Sequence, residues 1–263
     1  IQELEAAYQT RLFDRHGSRI SLTESGNLLL EHCERILEDY KRLEYEMHLL
    51  HNEYTGGLKL GASTTIAQYV LPPLLASFIG KFPQVSLSLL NGNSREIEAA
   101  LQEHRIDLGF VEGVFRLPNI RYTTFLEDEL VAVVRTGSKL AVGEEITPDE
   151  LFHLPLVLRE RGSGTLDVFE RALQQHNIKL SSLQVLMYLG STESIKLFLE
   201  HTDCLGIVSV RSITRELYSG QLRVVEIKGM PMLRDFSFAQ PQGQESGLAQ
   251  VFMQFAMHNN HKL

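Results

Sequence analysis

A single apolar stripe constrains this chain more than any other feature. Leu29, Cys33, Ile36, Tyr40, Leu43, Met47, Leu50 and Tyr54 follow one another at alternating spacings of four and three. That 3.5-residue period belongs to a helix whose narrow seam is buried against another helix of matching pitch. Charged residues between 31 and 46 fill the other faces. With no sequence-adjacent partner, such a helix is best covered by a copy of itself. The seam of Leu29, Ile36, Tyr40, Leu43, Met47 and Leu50 therefore predicts a homodimer, the alternative being a core helix within one chain. The paired Gly56-Gly57 is expected to end the helix and open a new unit.

Composition bounds what the chain can do. A net charge of -8 is unfavourable for a surface that grips DNA throughout, so any phosphate contact must be local. The longest apolar stretch, 69–80, is too short to span a bilayer and is interrupted by Pro72-Pro73. The opening residues lack the apolar core of a secretory signal, and the expectation is a cytoplasmic protein without a membrane partner. Cys33 and Cys204 stand far apart, and His48 with His51 reads as a solvated helix flank, so neither a disulfide nor a metal or other cofactor is expected. No nucleophile elbow, Walker A or H-E-x-x-H motif is present, and Gly162-Ser163-Gly164 has no adjacent histidine to activate its serine. The reading is not an enzyme.

The chain enters a helical pattern midway, with Ile1, Leu4, Tyr8 and Leu12 recurring at threes and fours and no start signal before them. A compact basic turn over 11–19 follows, then a short strand, Ile20-Ser21-Leu22. Helix, basic glycine turn and strand suggest the wing of a winged helix-turn-helix. The run Arg11-Leu12-Phe13-Asp14-Arg15 through Leu22-Thr23-Glu24-Ser25-Gly26 resembles the signature that closes the DNA-binding domain of LysR-type regulators: LFxR, a basic turn, then LTxAG. Ser25 replaces the common alanine, and Tyr8-Gln9 stands where the family usually has Leu-Gly. The resemblance implies DNA as a partner. It makes the opening residues the tail of the reading helix, with the base-contacting residues upstream of Ile1, and leaves Arg11, Arg15 and Arg19 as phosphate contacts. It also implies a dimerising linker helix where the stripe lies. Such regulators commonly form tetramers, which nothing in this sequence fixes.

Past Gly57, short apolar runs alternate with helical stretches. Strand 58–62, a polar turn, a helix running through Pro72-Pro73 to Phe82, strand 85–90, helix 95–104 and strand 106–111 read as βαβαβ, a parallel sheet that binds ligands at its carboxyl ends. A second α/β set has strands at 130–134, 156–158, 185–188 and 206–210 and helices at 166–175 and 191–201. The phrases LKLGASTTIAQYVLPPLLASFIGKFP, IDLGFVEG, RERGSGT, GSTESIK and GIVSV fall in the order and spacing of the LysR-type effector domain. The resemblance covers essentially the whole chain. It implies an α/β fold: a two-lobed, periplasmic-binding-protein-like (type II) effector domain, preceded by the linker helix and a partial winged helix-turn-helix. The expected limits are 1–22 for the winged part, 23–57 for the linker, 58–127 plus 240–263 for the first lobe, and 128–239 for the second. The strand near 236–239 and the helix 248–257 are expected to return to the first lobe.

Three turns stand at strand ends and open helices: Ser63-Thr64-Thr65, Arg161-Gly162-Ser163-Gly164-Thr165 and Gly190-Ser191-Thr192. Each offers hydroxyls and free N–H groups that favour a small anion, although each taken alone is an ordinary helix cap. Ser63, Thr64, Thr65, Ser163, Thr165 and Ser191 are thus candidate effector-binding residues. Arg161 is the candidate charge partner. Asn91 and Glu112 border the expected cleft, with Glu112 opposing an anion unless paired with Arg161. The function expected is a transcriptional regulator sensing a small anionic metabolite; the alternative is a solute-binding receptor with no DNA role.

Overall fold

The computed structural model describes the chain except for residues 17–18, 52–53, 115, 141–142, 244–246 and 261–263. It divides into two units, Ile1–Glu53 and Tyr54–Leu263.

In the first unit, α1 (Gln2–Tyr8) stops at Gln9, whose φ of 50° turns the chain so that the Gln9 N–H donates to the Ala6 carbonyl and the Thr10 N–H to that of Glu5. A hairpin of β1 (Phe13–His16) and β2 (Arg19–Leu22) follows, paired from Phe13 with Leu22 to His16 with Arg19. The first of these strands was expected to be turn, because Asp14 and Arg15 interrupt its apolar alternation. Thr23 then fastens the hairpin to α2 (Glu24–His51): its hydroxyl donates to the Arg11 carbonyl at 2.7 Å and accepts from the Gly26 N–H at 3.0 Å. Position 26 requires glycine, since a Cβ there would stand 2.1 Å from the Leu12 carbonyl oxygen. The two halves of the sequence signature are therefore parts of one packed corner.

Along α2, Ile36, Tyr40, Leu43 and Met47 are between 50% and 66% exposed, whereas Leu29 and Cys33 are partly covered. The side chain of Leu50 lies outside the described ones. Tyr54 corrects the expected stripe: it lies outside the described helix, Glu24–His51, and its ring instead meets Phe82 edge-on in the second unit, with centroids 5.6 Å apart. Gly56 and Gly57 are likewise not the helix end. They begin β3 (Gly56–Ser63), with Gly56 at a φ of 117°.

In the second unit, β3 is the middle of a parallel trio with β4 (Val85–Gly92) and β5 (Leu108–Glu112). The continuous helix expected after Thr65 is broken in two. Pro72 and Pro73 supply no N–H to a helical ladder, so a π-helical turn, Ile66–Val70, precedes them and α3 (Leu71–Lys81) restarts with them in its first turn. Then come α4 (Ser94–Gln102), β6 (Ile120–Arg135), β7 (Glu145–Ile146), β8 (Pro155–Arg159), α5 (Gly164–Gln175), β9 (Gln184–Leu189), α6 (Thr192–His201) and β10 (Leu205–Ser209). The chain closes with α7 (Thr214–Tyr218), β11 (Leu222–Ile227), β12 (Leu233–Pro241) and α8 (Gly247–Asn259).

Two long strands carry the chain between the lobes. Residues 120–129 of β6 pair with β12, and its later part pairs with β10 and β11. β12 also pairs with β5, Phe236 facing Glu112 and Ala239 facing Gly109. Residues 236–239 thus pair with the first-lobe strand β5 as well as with β6. Among the described residues the strands form one sheet in the order β4-β3-β5-β12-β6-β10-β8-β9, with β11 on β6 and β7 on β11.

Each lobe has its own core. Phe78, Phe110, Phe238 and Phe252 pack ring against ring in the first lobe, with centroids 4.8–6.0 Å apart. In the second, Leu166, Phe169 and Leu173 of α5 cover one face of the sheet, while Ile195 and Leu199 of α6 cover the other. A sheet buried on both faces needs near-continuous apolar strands, which is why β8 reads Leu156-Val157-Leu158 without alternation. The fold is the two-lobed α/β architecture expected. No helix among the described residues is long and apolar enough to cross a membrane.

Candidate effector site

The carboxyl ends of β3, β5 and β8 set Ser63, Glu112 and Arg159 at the line where the lobes meet. Two separate groups of side chains form there.

The first is built around Glu112, which is 4% exposed. Its Oε1 accepts from the hydroxyls of Thr65 at 3.3 Å and Thr165 at 3.4 Å, and lies 3.2 Å from Nη1 of Arg234. Nε and Nη2 of Arg234 reach Oδ2 of Asp128 at 2.7 and 2.6 Å, and Ser209 donates to the other Asp128 oxygen at 2.7 Å. Arg234 also donates to Thr165 at 3.0 Å. Glu112 is therefore paired with a buried arginine from β12, and not with Arg161, which is exposed. The N-terminus of α5 is closed by the same residue: a Cβ on Gly164 would stand 2.3 Å from the Glu112 carbonyl oxygen. Ser163 caps its own helix, accepting from the Thr165 N–H at 3.2 Å. The protein's own carboxylate occupies the place that the sequence suggested for an anion.

The second group is built around Arg159, which is 1% exposed. Its Nη2 reaches Thr64 Oγ1 at 3.3 Å, its Nη1 reaches Thr192 Oγ1 at 3.4 Å, and Nη2 also approaches the Gly190 carbonyl at 3.4 Å. Two bonds to Glu160, at 2.8 and 3.0 Å, complete its contacts. Thr64 comes from the first lobe; Arg159 and Thr192 come from the second. Ser191 caps α6 by accepting from the Ser194 N–H at 3.1 Å, and Ser63 Oγ is buried without a hydrogen-bond partner. Nearby, Tyr69 of the π-helical turn donates a hydrogen bond to Glu193 of α6. Lys196 holds Glu193 and Glu216, each at 2.8 Å, and lies 5.3 Å from the centroid of the Tyr69 ring. Burial pushes the Tyr69 hydroxyl well above its ordinary range, and the bond to Glu193 adds to that shift.

Of the residues expected at the site, the structure gathers Thr64 onto Arg159, and Thr65 and Thr165 onto Glu112; Ser63 ends β3 beside them in sequence. Asn91 and Arg161 are exposed. Sequence reasoning missed Arg159 and the pair Arg234 and Asp128, and named Thr192 only as part of the Gly190-Ser191-Thr192 turn. The signal for Arg159 was its position: a charge closing an otherwise apolar strand at the sheet's carboxyl edge. Arg234 left a similar trace, a charge two residues before Phe236 in an apolar strand.

Comparison with known proteins agrees with this architecture. Residues 51–260 match the LysR substrate binding domain family. The HTH-type transcriptional regulator YeiE of Escherichia coli is 34% identical over 227 residues, 86% of this chain and 75% of that protein. A RuBisCO operon transcriptional regulator of Acidithiobacillus ferrooxidans is 29% identical over 256 residues, 97% of this chain and 82% of its own. The regulatory domain of CcmR from Synechocystis, solved in complex with 2-PG, superposes with a TM-score of 0.70 at 28% identity, covering 78% of this chain and 97% of that one. These relatives are transcriptional regulators and not enzymes. The packed Leu12–Gly26 corner, the two-lobed body and the match across 51–260 together assign the chain: it belongs to the LysR-type transcriptional regulator family.

Proposed function

We propose that this regulator senses a small oxyanion, a carboxylate, sulfate or phosphate, anchored on Arg159 between the lobes. The carrying observation is a fully buried guanidinium at the carboxyl end of β8 that hydroxyls from both lobes approach. Buried arginine is suited to planar or tetrahedral acid groups. Ser63, Thr64, Ser191 and Thr192 are the neutral contacts in this reading. Glu112, Thr65, Ser163 and Thr165 form a lobe-joining plug instead, and Arg161 and Asn91 fall outside the site. The CcmR domain bound to 2-PG supports a small ligand in this fold.

Signal output follows from population shift: an effector that touches both lobes favours one lobe arrangement over another. The exposed seam of α2 supports a homodimer of this cytoplasmic regulator, and Arg11, just before the hairpin, with Arg15 and Arg19, whose side chains lie outside the described ones, are its phosphate contacts on DNA. The functional limits in this reading are 1–22, 23–57, 58–127 with 240–263, and 128–239.

A thermal-shift screen tests the ligand class. Small oxyanions should raise the unfolding midpoint while neutral analogues of the same size should not; the reverse pattern contradicts the proposal. Light scattering tests the dimer, since Leu43→Asp should halve the mass, and an unchanged mass removes the seam.

A further inference from the structure

Resting on the assignment of Arg159 as the anchor, the geometry points to Glu160 as an internal competitor. Its carboxylate holds the place that an effector's acid group takes, and binding exchanges one oxyanion for another on the same guanidinium.

The contacts of Arg159 fall into two classes. Nε and Nη2 meet the two oxygens of Glu160 at 2.8 and 3.0 Å, the two-pronged arrangement in which arginine binds an acid. The contacts to Thr64, Thr192 and the Gly190 carbonyl are 3.3–3.4 Å, beyond the usual hydrogen-bond range. Glu160 thus supplies the counter-charge, and the rest of the pocket is held loosely.

The two partners are not equally buried. Arg159 is 1% exposed, and the side chain of Glu160 is 27% exposed. A buried guanidinium does not give up its counter-charge without a large penalty, so Glu160 leaves only as another anion arrives. Glu160 itself borders solvent and regains water on turning outward. The neighbouring carboxylate, Glu193, cannot substitute, because Lys196 and Tyr69 already hold it. A neutral ligand gains nothing from the exchange. The device therefore sets both the affinity and the charge requirement of the site.

The test is calorimetric titration of the full chain with sodium sulfate and with inorganic phosphate. Glu160→Gln keeps the shape and removes the competing charge. It should bind at least one of the two ions roughly tenfold more tightly than the wild type, or bind where the wild-type isotherm is flat. Glu160→Asp, with a shorter arm and the charge retained, should fall between them, and it carries the test if Glu160→Gln does not fold. Glu160→Gln binding both ions no more tightly than the wild type, or showing no binding at all, overturns the exchange. Arg159→Met separates the two layers: wild-type binding in that variant removes the anchor itself, whereas lost binding without tightening in Glu160→Gln removes only the competitor.

Discussion

Two helix N-termini in the second lobe read alike in the sequence and differ in the structure. α5 opens with Ser163-Gly164-Thr165 and α6 with Ser191-Thr192, each with a serine capping its own helix. At α5 the first lobe closes the end: Glu112 accepts from Thr165, and its main chain leaves no space at Gly164. At α6 the first-turn carboxylate, Glu193, is held by Tyr69 and Lys196, and Thr192 faces the buried Arg159, whose counter-charge is the partly exposed Glu160. A cap is a local bond, and whether it also forms an anion site depends on the charge that the rest of the fold places against it. The first end joins the lobes; the second is the one proposed to read a ligand.

The largest expected effect lies at the closed end. Arg234→Ala leaves Glu112 buried without its counter-charge and Asp128 with only Arg211 at 3.6 Å, and should cost about 3–5 kcal/mol in denaturant unfolding. A loss near zero would show that α5 is not sealed by this network. Next is Gly164→Ala, whose Cβ meets backbone that cannot rotate away. About 1–3 kcal/mol of destabilisation is expected in the same measurement, and a neutral result would reopen this helix end as a ligand site.

The smallest effect is in pH dependence. Asp167, in the first turn of α5, is pushed up to about 6, by burial above all, with Arg95 pulling it down and Glu170 and Glu98 adding to the rise. A carboxyl with a folded value above its unfolded one contributes stability that is complete below its ordinary 3.8 and is lost as pH rises through about 6. Unfolding midpoints of Asp167→Asn should accordingly vary less than those of the wild type between those two values. Identical profiles would place Asp167 in water.

These effects also mark what was legible beforehand. The βαβαβ body was readable because a doubly covered sheet demands apolar runs such as Leu156-Val157-Leu158, and the α2 stripe because its period is long and unbroken. Glycines misled where their reason was not local. Gly56 and Gly57 looked like a helix end and begin a strand, and Gly164 looked like part of an anion loop but is small to admit the main chain of residue 112. Arg161 was named and Arg159 passed over: a charge in a turn looks available, whereas one at the end of an apolar strand looks structural. Which of two arginines two positions apart turns inward is settled by the sheet, through pairs such as Arg159 with Leu189, and not by composition.

The central claim is that the ligand-reading charge is Arg159 and not its neighbour in the glycine turn. Calorimetric titration of the oxyanion that gives the largest thermal shift, run on Arg159→Met and Arg161→Met, tests it most directly. The account predicts that binding is lost in Arg159→Met and kept within about twofold in Arg161→Met, whose side chain is exposed. Binding lost in Arg161→Met and retained in Arg159→Met would contradict it.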